Sequence, residues 1–104
     1  MTFSIIALQS GVTRIGIEGQ LDSLTICRLR SELSSVVRRR PVEVEMELSR
    51  LRLIDSRCAR MLLSFLTDLF RQGCRLRVTG LQNQPLKSFK SALIDAIPSS
   101  EMVS

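Results

Sequence analysis

Hydrophobic residues along this chain follow two periods in turn, one of two and one near 3.6, and the order of the switches predicts an alternation of strands and helices. Phe3 to Leu8 is a mostly apolar run closed by the turn residues Gln9-Ser10-Gly11. Val12 to Glu18 follows with Thr13, Ile15 and Ile17 on one face, so the pair predicts a β-hairpin. Gly19-Gln20-Leu21-Asp22 then breaks the pattern. Asp22 or Ser23 is placed to cap a helix from about Leu24 to Arg38, whose Ile26, Leu29, Leu33, Val36 and Val37 form an apolar stripe.

After Pro41, Val42-Glu43-Val44-Glu45-Met46-Glu47-Leu48 alternates without a fault, which predicts a strand with three glutamates on one face. Cys58, Met61, Leu62, Phe65, Leu66, Leu69 and Phe70 recur at helical spacing, and Gly73 supplies a left-handed cap. Arg75 to Thr79 resumes a strand pattern. Pro85 belongs in the first turn of a last helix that buries Leu86, Phe89, Leu93 and Ile97 and stops at Pro98. The order is strand, strand, helix, strand, helix, strand, helix. It predicts an α/β sandwich with a mixed four-stranded sheet, an N-terminal hairpin plus β-α-β, and about three helices, in a domain spanning 1–98 with a short tail at 99–104.

A length of 104 residues with 44% hydrophobic content fits one core. No apolar stretch approaches a membrane span, and no basic flank with a cleavage site marks a signal peptide, so the expected location is cytoplasmic with no membrane insertion. Cys27, Cys58 and Cys74 are odd in number and lack C-x-x-C spacing, so they read as free thiols, not as a disulfide framework or metal site. The net charge of +5 raises nucleic acid as a partner, but Arg38-Arg39-Arg40 reads better as a helix C-terminus complementing its dipole. With few aromatics and no recognised motif, no direct nucleic-acid contact is expected. The glutamates of the third strand read as a solvated or salt-bridged face, because no histidine exists anywhere to complete a metal or acid–base site. The same absence argues against an enzyme, and no cofactor is expected.

The chemistry concentrates in Ile54-Asp55-Ser56-Arg57, where a strand pattern gives way to the long helix. Unpaired N–H groups and the positive dipole end favour a hydroxyl, a carboxylate or a phosphate there, so Asp55 or Ser56 can act as the N-cap. A phosphorylated Ser56 would carry about −1.5 to −2 charges. Arg57 and Arg60, or Arg50 and Arg52 upstream, could pair with them.

Four markers in order, Gly19-Gln20-Leu21-Asp22, Leu48-Ser49, Leu53-Ile54-Asp55-Ser56 and Gly73 to Gly80-Leu81, resemble the STAS domain of bacterial anti-sigma factor antagonists. The resemblance implies a non-enzymatic, partner-switching phosphoprotein in signal transduction and transcription regulation. It would dock on a serine-kinase anti-sigma factor of the histidine-kinase-like ATPase fold. That kinase would phosphorylate the residue matching Ser56, and a PP2C-type phosphatase would reset it. Asp22, Ser23, Asp55, Ser56, Arg57 and Arg60 would form the partner-binding surface. The chain departs from the family in having Arg57-Cys58 where a Ser or Thr and then Gly usually follow the serine, and Cys58 at a helix start has a redox reading as well as a packing one. A second resemblance within the family is to STAS subunits that regulate an ABC-type lipid transporter ATPase without phosphorylation, which more often carry threonine at this position.

Overall fold

The computed structural model describes residues 1–96, in the order β1 (Thr2–Ala7), β2 (Val12–Leu21), α1 (Ile26–Arg39), β3 (Glu43–Glu47), β4 (Leu51–Ile54), α2 (Ser56–Arg71), β5 (Arg75–Thr79) and α3 (Asn83–Ala96). The expectations at Ile97, Pro98 and the 99–104 tail fall outside the described residues. β2 pairs antiparallel with β1 and parallel with β3, and β5 follows β3 in parallel, giving the order β1-β2-β3-β5. The hairpin, the mixed sheet and the helical crossovers match the sequence pattern.

The sheet has five strands, however, not four. The extra one, β4, pairs parallel with the far end of β2, in a ladder whose register shifts between the Gly19–Leu51 and Gln20–Leu53 pairs. Its burial runs buried, exposed, exposed, buried over Leu51-Arg52-Leu53-Ile54, so it offers neither a period of two nor enough length to declare itself.

Among the described residues only one sheet face is buried. Thr13, Ile15 and Ile17 from β2 and Val44 and Met46 from β3 point into the core, as the alternation requires. Leu29, Leu33 and Val36 of α1, Leu62, Phe65 and Leu69 of α2, and Phe89 and Ala92 of α3 close over them. Each such leucine contributes about 1.5–3 kcal/mol relative to exposure. The opposite face carries the β3 glutamates, which meet their register partners: Glu45 pairs with Arg14 at 3.0 Å and Arg77 at 3.9 Å, and Glu47 accepts from Thr79 Oγ1 at 2.8 Å. It is the salt-bridged face expected from the pattern.

Two helical stripes are narrower than their spacing predicts. Phe70 is 72% exposed and Leu93 50% exposed. Phe70 lies about 100° round the helix from Leu69, beyond the edge of the contact stripe, and Ala92 takes the buried place in α3. The end of α2 is a Schellman cap, with Gly73 N donating to Phe70 O at 3.0 Å and Cys74 N to Leu69 O at 3.1 Å, around a Gly73 φ of +84°.

Gly80, at φ +80°, carries a second constraint, because a Cβ there would run into the backbone nitrogen of Ser49 and lie 2.8 Å from its Cα. A Cβ on Gly73 would meet nothing within 4 Å. Gly73→Ala is therefore expected to cost about 1–2 kcal/mol, the left-handed penalty alone. Gly80→Ala should cost clearly more, since backbone must move. Urea unfolding of the two variants side by side checks the order.

Candidate functional site

Two loops meet at the carboxyl ends of the parallel strands β2 and β4. Asp55 N donates to Leu21 O at 3.2 Å, which fixes the start of α2 against the end of β2. Asp55 is the N-cap of α2, in extended conformation (φ −80°, ψ 167°), and its Oδ1 accepts from Cys58 N at 2.8 Å. The cap and the hydroxyl expected to accept a phosphate are thus different residues. Ser56 is the first residue of α2, exposed, and its hydroxyl has no hydrogen-bond partner among the described residues.

The backbone and thiol of Cys58 hold the Asp55 carboxyl below its ordinary value of 3.8, with smaller help from the Ser23 backbone and Arg57. It is an occupied cap, unsuited to act as a base. Burial, and then the Asp55 carboxylate, push the Cys58 thiol up to about 12. Cys58 is 2% exposed, so its side chain turns into the core and leaves the outer surface to Ser56 and Arg57. The redox reading of Cys58 loses its basis, because a buried neutral thiol is a poor nucleophile.

In the neighbouring loop Asp22 organises the turn before α1 rather than capping the regular helix. Its Oδ1 accepts from Leu24 N at 3.0 Å and Thr25 N at 3.2 Å, while Asp22 N donates back to Thr25 Oγ1 at 3.1 Å. Ile26 N reaches Asp22 O at 3.0 Å, and regular α1 begins there, two residues later than the sequence pattern suggests. This reciprocal pair leaves Ser23 exposed and Leu24 91% exposed beside the α2 start.

Asp22, Ser23, Asp55 and Ser56 are brought together in this way, and Arg57 and Arg60 extend the patch along α2, with Arg60 Nε donating to Ser56 O at 3.4 Å. Arg50 is elsewhere. It precedes β4, pairs with Glu18 at 3.8 Å, and is separated from Ser56 by six residues, roughly 20 Å of extended chain. Two supports had no local signal: Gln84 of α3 holds both backbone groups of Ile54 at 2.9 Å, and Ser88 Oγ donates to Ile54 O at 3.1 Å. They close the free edge of β4 just before the site, from 30 and 34 residues away. Leu24 was hidden for the opposite reason, since its apolar type reads as the beginning of a buried stripe.

Among the described residues no group of acidic, cysteine or histidine side chains could hold a metal ion, and no helix is long and apolar enough to cross a membrane. The arrangement suits recognition of a partner and acceptance of charge at one hydroxyl.

The family described as "Mlab, STAS domain" matches residues 6–103. No curated protein sequence matches the chain. The unphosphorylated anti-sigma factor antagonist SpoIIAA has a similar structure, with a TM-score of 0.75 at 16% identity over 98% of this chain and 93% of that one. Phosphorylated SpoIIAA, described as a Bacillus cell fate determinant, gives 0.73 at 16% identity, covering 98% and 96%. An anti-sigma factor antagonist from Mycobacterium paratuberculosis gives 0.68 at 17% identity, covering 93% and 84%. At such identities the likeness speaks for the fold.

Asp55→Ala is expected to cost about 0.5–2 kcal/mol at pH 7 by denaturant unfolding. Because the native carboxyl titrates lower than the unfolded one, its contribution is full above 3.8 and is lost as pH falls through the native value, so the gap between wild type and variant should close in acid. A thiol reagent at neutral pH should label exposed Cys27 at once, and buried Cys58 and Cys74 only on unfolding.

Proposed function

The chain belongs to the STAS domain family, in the group described as Mlab, STAS domain, and from that membership we propose a phosphorylation-switched binding protein of the anti-sigma factor antagonist kind. It docks on a serine-kinase anti-sigma factor of the histidine-kinase-like ATPase fold and is released when Ser56 is phosphorylated. A PP2C-type phosphatase restores binding. The protein acts in the cytoplasm of a bacterium as a partner-switching regulator of transcription or secretion, and it is not an enzyme.

The observation that carries this reading is the division of labour at the start of α2. Asp55 does the capping, so a phosphate can be placed on the exposed Ser56 hydroxyl without costing the helix its cap. The new charge would sit at the positive end of the helix dipole, within reach of Arg57 and Arg60, and the fold behind it can stay intact. What changes is the docked interface, where added charge meets desolvation and repulsion.

The second reading is a STAS subunit that regulates an ABC-type lipid transporter ATPase through the same surface without being phosphorylated. One observation favours it: Arg57 stands exposed beside the serine in place of the small residue usual in the switch. The serine itself favours the first.

With the cognate kinase, Ser56→Asp should weaken binding at least about tenfold while Ser56→Ala binds as wild type does. Isothermal titration checks it, and equal affinities for both variants would sink the switch. Co-purification with a transporter ATPase in place of a soluble kinase would decide for the second reading.

A further inference from the structure

Helices α1 and α2 lie side by side in the same direction. Their starts are joined through the Asp22 and Asp55 loops, and at the other end Gln72 Nε2 donates to Val37 O at 3.2 Å. Between them, on the outer side of the helical layer, runs an open groove of about 470 Å³. Its floor is apolar: Leu33 and Phe65 lie deep, and Val37 and Met61 are half-buried. Its walls follow helical spacing, with Arg30 and Ser34 on α1 and Arg57, Arg60, Ser64 and Asp68 on α2.

The groove is polar along its length as well as across it. Arg30, Arg57 and Arg60 gather toward the two helix starts, where both dipoles add positive potential, and Asp68 stands toward the other end. None of the three arginines has a carboxylate within 4.0 Å among the described residues. The stretch from Arg57 to Asp68 is about 16 Å long, enough for three turns of a guest helix. An apolar floor with cationic walls has the form of a helix-in-groove site.

We infer that this groove docks an acidic amphipathic helix of a partner protein, with its apolar stripe on Val37 and Met61 and its carboxylates at the end nearest Ser56. The dipoles favour a guest running antiparallel to α1 and α2, because its negative end then meets their positive ends. The proposal shares Arg57 and Arg60 with the Ser56 surface, but it requires neither a kinase nor phosphorylation, so the two readings can fail separately. A nucleic acid would leave the apolar floor unused, and the aromatic ring that lines it, Phe65, is too buried to stack on a base.

The test uses the full chain and two labelled 15-residue peptides with leucine at i, i+3, i+4 and i+7. The remaining positions are glutamate in one and lysine in the other, and a short oligodeoxythymidylate serves as a third probe. Fluorescence anisotropy should show the glutamate peptide binding at least about tenfold tighter than the lysine peptide. Amide NMR shifts should concentrate at Ser34, Val37, Met61 and Ser64. The double variant Arg30→Glu with Arg60→Glu should abolish that preference, while Arg77→Glu on the open sheet face leaves it unchanged. Equal binding of the two peptides, shifts mapping to the sheet face, or tighter binding of the oligonucleotide would overturn the proposal.

Discussion

The fold hangs on the ten-residue strand β2 and the change of neighbour along it, between Gly16 and Gly19. Up to Gly16 β2 pairs with β3, from Gly19 on it pairs with β4, and β1 flanks its other edge from Thr13 to Glu18. One strand therefore serves three neighbours, and its last residues bring the end of β4 to the loop that leads into α1. The hydrogen bond from Asp55 N to Leu21 O is the consequence, and through it the start of α2 acquires its position. Without the part of β2 beyond Gly16, β4 would lack its strand partner and Ser56 a fixed neighbour in the Asp22 loop.

Charge is distributed to match that framework. On the open sheet face, Glu45 of β3 pairs with Arg14 of β2 and Arg77 of β5. On the helical side Arg30, Arg57 and Arg60 have no such partners among the described residues, and two helix starts converge near Ser56. The unpaired positive charge of the described residues thus includes these three arginines on the helical side, while single surface pairs on the other face stabilise little. A phosphate on Ser56 would bring about −1.5 to −2 charges to this basic side.

Much of this was legible in the sequence because burial here is one-sided. A sheet with one wet face gives clean alternation, which is why β2 and β3 are plain from Thr13, Ile15 and Ile17 and from the glutamate series. The Asp55-Ser56 helix start was legible because capping is local chemistry. What stayed hidden depends on contacts distant in sequence. β4 is defined by pairing with β2 and by the Gln84 clamp, neither of which leaves a period in four residues. The division between Asp55 as cap and Ser56 as free hydroxyl follows from an offset of one residue, finer than spacing alone resolves. The Arg50 assignment failed for the same reason as β4, since a strand and not a loop separates it from the site.

The central claim is that Ser56 is a phosphoacceptor whose modification leaves the domain folded. Tandem mass spectrometry after incubation with the cognate kinase and ATP, paired with an amide NMR spectrum of the product, tests both halves at once. A single phosphate on Ser56 and shifts confined to the starts of α1 and α2 are expected. A phosphate on another residue, no phosphate at all, or a collapse of the spectrum would contradict it.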